Sequence, residues 1–213
     1  MAVLPQSIEN LREFIVLDDH GKKETNSILD EIVLRYEEPW RSYHNIDHLS
    51  DMACFLLENV DDLQNPRATL WATLFHDGIY IPQSYPGANE ELSAQLLIDR
   101  LGSYLPEHEL TLGAGYIRST AGHECGGIDS DLALFLDADL KILGTDEERF
   151  EEFEAGIRKE YGFCDDEVYK QGRISVLTGF LMRERIFISD VAYDQLEEQA
   201  RKNLDRKVTE LRA

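Results

Sequence analysis

Apolar residues recur at helical intervals along nearly the whole of this chain. Over 24–37, Ile28, Leu29, Ile32, Val33 and Tyr36 follow three- and four-residue spacing, and Pro39 closes the segment. Over 45–59, Ile46, Leu49, Met52, Ala53 and Leu56 form a second inward stripe, with Asn45 as N-cap and Asp47 in the favourable first turn. Pro66 opens a third helix whose run from Ala68 to Phe75 is apolar nearly all round, as in a helix buried on most sides. Further helices are predicted over 90–101, 107–120, 132–143, 147–161, 167–185 and 193–212. Gly113 and Gly115 weaken the signal over 107–120, and the last helix is so strongly charged that a surface position is expected. No alternating β-branched run of useful length occurs. The pattern predicts an all-α helical bundle, one domain over 1–213, without an internal repeat or linker.

Composition narrows the function classes. Of 213 residues, 43% are hydrophobic and 30% charged, an ordinary globular balance. The net charge of −21, from 42 acidic against 21 basic side chains, repels nucleic-acid backbone and anionic lipid. Neither a nucleic-acid polymer nor a membrane is therefore an expected partner. A small phosphorylated substrate stays compatible, because a bound divalent cation would dominate the local field. Cys54, Cys125 and Cys164 are odd in number and contain no C-x-x-C pair, which suits reduced thiols in a cytoplasm. No signal peptide or membrane-length apolar run is visible. The oligomeric state is left open, a homo-oligomer included.

Three apolar segments carry polar residues suited to metal chemistry. In Tyr43-His44-Asn45-Ile46-Asp47-His48, two histidines four apart fall within about 40° of one helix face, one turn of ~5.4 Å apart. In Phe75-His76-Asp77-Gly78, an imidazole and a carboxylate end the most buried helix, a costly placement unless something compensates them. In Phe135-Leu136-Asp137-Ala138-Asp139-Leu140, two acids interrupt a third apolar helix; two residues apart they diverge by about 200°, so one faces a site and the other plays a supporting or capping part. Singly, each motif has an ordinary reading: an exposed histidine pair, a chance dipeptide, an acid held by backbone donors. Together they offer neutral imidazole and carboxylate oxygen from three buried helices, the way helical bundles build interior metal sites.

The order His…His-Asp…Asp in an all-helical chain resembles the HD superfamily of metal-dependent phosphohydrolases. The segment from Tyr43 to His48 also resembles the one that opens the site in cyclic-nucleotide phosphodiesterases, where the second histidine binds metal and the first donates a proton to the leaving group. Ala138-Asp139-Leu140 resembles the stretch holding their last metal aspartate. The chain is further similar to a bacterial family of predicted HD-superfamily metal-dependent phosphohydrolases. Segments 41–48, 74–80, 89–94, 135–144, 157–161, 172–177 and 198–203 carry that likeness, which spans about 24–205. The resemblance implies His48, His76, Asp77 and Asp139 as ligands of a divalent metal ion (Mn, Zn, Fe, Ni, Co or Mg), and His44 as general acid. It implies hydrolysis of a small phosphate ester or nucleotide by metal-activated water, with Asp77 steering that water. Cyclic-nucleotide specificity is not carried over. Asp77 is followed by Gly78-Ile79-Tyr80 instead of a further histidine, and nothing matches the purine-clamping glutamine.

Other residues are candidates for support. Glu90, ahead of Glu91, can orient the attacking water or simply favour a helix N-terminus. His123 can contact phosphate or a second metal, or favour a helix C-terminus. Arg41 is spaced to clamp a phosphoryl oxygen bidentately, and Tyr80 to line the pocket. Arg158 and Arg173 fit structural ion pairs better, and His20 and His108 read as surface residues. Two rival functions remain. One is a non-catalytic, metal-stabilised ligand-binding domain. The other is a di-iron oxygenase, which ranks lower because only His108 and His123 lie between the His-Asp pair and the last aspartate.

Overall fold

A computed structural model of the protein describes residues 4–15, 21–126 and 129–213; His20 lies outside them. Ten α-helices and no strand occur among the described residues, so the fold is all-α. The chain divides into two compact units, Met1–Ala138 and Asp139–Ala213.

The first unit begins with a helix absent from the expected set, α1 (Gln6–Ile15). Its Ile8, Leu11 and Ile15 are fully buried, and it packs against α3 (Ile46–Glu58) and α4 (Pro66–Phe75). Four apolar residues in ten, with Phe14 left exposed, make a weak signal, because a helix this short is stabilised by the surface it packs on and not by propensity. α2 (Lys22–Arg35) turns Leu29, Ile32 and Val33 inward. Asn45 caps α3 as expected, its side chain accepting from the backbone N–H groups of Asp47 at 2.9 Å and His48 at 3.4 Å. Every residue of α4 from Ala68 to Phe75 is buried.

α5 (Ala88–Leu101) and α6 (Glu107–Ser119) both pack against α4. Gly113 faces α4 and α5 closely: a Cβ there would make ordinary contact, at 3.4 Å, with the Ala68 carbonyl oxygen and the Leu97 side chain. α7 (Ser130–Leu140) is capped by Asp129, which accepts from the N–H groups of Asp131 and Leu132. Buried Asp131 reaches back to the N–H groups of Gln64 (2.8 Å) and Asn65 (2.6 Å), tying the start of α7 to the start of α4.

In the second unit the expected single helix over 132–143 instead ends α7 at Leu140 and continues as a 3-10 turn, Lys141–Gly144. α8 (Glu147–Glu160), α9 (Asp166–Leu181) and α10 (Asp190–Arg212) follow, capped by Asp146, Asp165 and Ser189. The charged α10 is not merely a surface helix. Ala192, Ala200, Leu204 and Val208 are buried, and Asn203 donates to the carbonyls of Leu143 (3.0 Å) and Thr145 (2.8 Å). Gly144 is obligatory here, since a Cβ would lie 2.6 Å from the Leu196 Cβ. Helix α9 stops at Leu181, short of the expected 185, because Arg201 donates to the carbonyls of Leu181, Arg183 and Glu184 and gathers them into a loop. Arg173 pairs with Glu154 and Arg158 with Asp166, the structural use expected of both arginines.

Candidate metal centre

The site grows from the C-terminal end of α4. A helix leaves its last carbonyls without intrahelical partners, and here each of three has found one. Phe75 O accepts from Gly78 N at 2.8 Å, Leu74 O from the Tyr36 hydroxyl at 3.1 Å, and Thr73 O from His76 Nδ1 at 2.7 Å. The last contact puts the ring proton on Nδ1 and leaves Nε2 as an exposed lone pair, the tautomer a metal ligand needs. His76 is fully buried, directly beyond a helix end whose dipole favours positive charge.

Three donor atoms converge at this point. His76 Nε2 lies 3.0 Å from His48 Nε2 and 3.1 Å from Asp77 Oδ2, and His48 Nε2 lies 3.7 Å from the same oxygen. These three form the group of ligating side chains found among the described residues. The spacing fits an ion. The circle through the three atoms has a radius of about 1.9 Å, so all three could reach one ion at ordinary bond lengths of ~2.0–2.2 Å. Without a cation, one of the two buried Nε2 atoms must carry a proton for the rings to hydrogen-bond at this distance. When protons instead of a cation occupy the imidazoles, burial pushes the Asp77 carboxyl upward, but the charges of His76, His44 and His48 and a hydrogen bond from His76 Nε2 outweigh it. The result lies well below the usual carboxylate range.

The remaining expected residues separate into those gathered here and those that are not. His44, half-buried, stacks its ring on Tyr80 at 4.2 Å between centroids and stands 5.8 Å from the His48 ring. It thus leans towards the ligands from just before α3. Tyr80 is buried and also lies beside the Arg41 guanidinium. Arg41 does not present its fork outward as a phosphoryl clamp. Its side chain is fully buried, with Nη1 donating to the carbonyls of His44 (3.1 Å) and Asp77 (2.8 Å) and Nε to Glu38 (2.9 Å). Glu91 is exposed and paired with Arg118 at 2.7 Å, while Glu90 is half-buried in the first turn of α5 and outside the ligand group. His123 follows the end of α6 in a left-handed conformation (φ 48°), its N–H donating to Ser119 O at 2.9 Å. Asp137 is fully buried on α7; Asp139 is half-buried in the last turn of that helix and opens the second unit.

Several positioning residues were not singled out for the site. Tyr36, read as a core residue of the second helix, donates to Leu74 O and accepts from Asp77 N at 3.3 Å. Tyr43 packs its ring against His44 and His48. Asn89 and Ser93, one turn apart on α5, hold the segment after the ligands. Asn89 bonds both the N–H and the C=O of Ile81, and Ser93 both those of Ile79. An i, i+4 polar pair facing inward was the available signal.

Comparison with protein-family models, with curated proteins and with solved structures found no match. No helix among the described residues is long and apolar enough to cross a membrane.

Proposed function

We propose that this chain is an HD-type, metal-dependent phosphohydrolase that acts in the cytoplasm on a small phosphate ester or nucleotide, with no nucleic-acid polymer or membrane as partner. The observation that carries the reading is the convergence of His48 Nε2, His76 Nε2 and Asp77 Oδ2 within 3.0–3.7 Å of one another. Two imidazoles and a carboxylate suit Zn, Mn, Fe, Co or Ni and, less closely, Mg. The family resemblance assigns a fourth ligand to Asp139.

A divalent ion bound there supplies Lewis acidity to a phosphoryl oxygen and to water. The chain's own residues do the rest. Asp77 orients water towards phosphorus; as the new P–O bond forms, the bond to the leaving oxygen breaks. His44, protonated, passes its proton to that leaving oxygen, so an alcohol and inorganic phosphate result. Tyr80, stacked on the His44 ring, fixes the direction from which the proton is delivered.

The test is metal analysis of the purified protein, then a screen of phosphate monoesters, mononucleotides and nucleoside triphosphates with Mn, Co, Ni, Zn and Mg. Metal-dependent release of phosphate supports the reading. A metal-loaded protein inert across the screen would turn it towards a ligand-binding domain.

A further inference from the structure

Two adjacent residues point opposite ways at the edge of this site. Arg41 is fully buried, whereas Trp40 leaves 49% of its surface in water. A large aromatic side chain that exposed would ordinarily be mobile, yet the indole Nε1 donates to the Tyr80 carbonyl at 3.2 Å. The Tyr80 ring in turn stacks on His44. A continuous set of contacts thus runs from Trp40 through Tyr80 to the proton-donor candidate.

The next residue repeats the pattern. Ile81 is also 49% exposed, while its backbone N–H and C=O are both held by the Asn89 side chain at 3.1 and 3.2 Å. Two apolar side chains are therefore displayed to solvent, Trp40 held by its indole N–H and Ile81 by its backbone, and Tyr85, 78% exposed, lies further along the same loop. Rigid, half-exposed aromatic surface is what binding sites use, because little side-chain entropy is lost when a ligand covers it. Arg41 offers little to a phosphate at the rim, since its side chain is fully buried, with Nη1 given to the carbonyls of His44 and Asp77 and Nε to Glu38. With a net charge of −21 on the chain, a long polyphosphate is disfavoured as well. Affinity beyond the metal must come from an uncharged part of the ligand.

We propose that the substrate's leaving group carries a planar aromatic ring, a nucleobase or its like, which stacks on Trp40 beside Ile81 at the rim of the metal site. The substrate class is then an aromatic or nucleoside monophosphate, not a sugar phosphate or polyphosphate. This deepens the phosphohydrolase reading and rests on it for the phosphate half of the ligand.

The experiment measures binding separately from turnover. The chain has two tryptophans, and the other, Trp71, is fully buried, so emission quenched on rapid mixing reports on Trp40. Adenosine 5′-monophosphate should quench it and ribose 5-phosphate should not. By calorimetry, Trp40→Ala should weaken adenosine 5′-monophosphate binding roughly ten-fold or more, the scale of one base-on-aromatic stack, while Trp40→Phe keeps most of the affinity. Matched melting curves for the variants exclude a folding defect as the cause. Equal affinity of the wild-type protein for the two phosphates, or an undiminished affinity in Trp40→Ala, overturns the proposal. Trp40-dependent binding without hydrolysis of any ester would keep the aromatic shelf and reject the hydrolase. Hydrolysis indifferent to Trp40 would do the reverse.

Discussion

Arg41 Nη1 donates to the backbone carbonyl of Asp77 at 2.8 Å across 36 residues of sequence, and the same nitrogen reaches the His44 carbonyl at 3.1 Å. One buried guanidinium thereby joins the loop that carries His44 to the loop that carries Asp77. Its charge is balanced by Glu38 and by the faces of Tyr36 and Tyr80, 5.1 and 5.4 Å from their ring centroids. Arg41→Met leaves two buried carbonyls unanswered and should cost about 2–4 kcal/mol, seen as a fall in melting temperature of roughly 10 °C. Arg41→Lys keeps the charge but not the fork, and should recover less than half of that loss. A melting temperature unmoved by Arg41→Met would show that the tie contributes nothing.

Tyr36 acts on the same ligands from the other side. Its hydroxyl donates to Leu74 O and accepts from Asp77 N, so Tyr36→Phe orphans one carbonyl and one N–H without changing the ring packing. The expected loss is about 1–3 kcal/mol of stability and ~10- to 100-fold in metal affinity, the usual effect of releasing a ligand from its support. Metal titration by calorimetry checks the second number. Unchanged affinity would mean that the ligands hold their positions without Tyr36.

The helices were legible because their causes are local. The Asn45 cap acts on N–H groups two and three residues away, and the apolar run of α4 speaks for itself. Three of the four expected ligands, His48, His76 and Asp77, form a group that could hold a metal, and they were legible because polar residues on an apolar background require compensation. What stayed hidden is what binds backbone at long range. Tyr36 to Leu74, Arg41 to Asp77, Ser93 to Ile79 and Arg201 to Leu181 all pair a side chain with a peptide group. Every residue has a carbonyl, so such an acceptor leaves no mark in the sequence. Arg41 shows the consequence: an arginine beside a metal motif suggested a phosphate clamp, and the fold uses it as an internal tie.

Away from the metal, Tyr116 makes stability depend on alkaline pH. Burial, then the charges of Asp129 and Asp131, raise its phenol above the usual value of 10.0, and its hydroxyl donates to both Asp129 oxygens at 3.2 Å. The folded state therefore holds the proton longer than the unfolded chain. Its contribution is complete below about pH 10 and is lost as the pH rises beyond that, where only the unfolded state has released the proton. Tyr116→Phe should be less stable than wild type at pH 8 by about 1 kcal/mol, with the gap closing above pH 10. Urea midpoints across this range test it, and a gap independent of pH would contradict the assignment.

The last prediction separates the two histidines that stand one turn apart. His48 Nε2 lies 3.0 Å from His76 Nε2, inside the candidate ligand group, whereas His44 stands beside that group, its ring against those of His48 and Tyr80 and its charge acting on Asp77. His48→Ala should therefore lose the metal and all activity, whatever the leaving group. His44→Ala should keep the metal, measured by elemental analysis, and lose ~10²–10⁴-fold in turnover on alkyl phosphates. That loss should shrink for p-nitrophenyl phosphate, whose leaving group departs without a proton. The contrast rests on charge: an alkoxide must be protonated as it leaves, and the half-buried His44 imidazole is the group we propose for that step. If His44→Ala empties the metal site, His44 is a ligand and the roles shift by one helical turn. If it binds metal and slows both substrates equally, the histidine orients the substrate, and the proton comes from elsewhere.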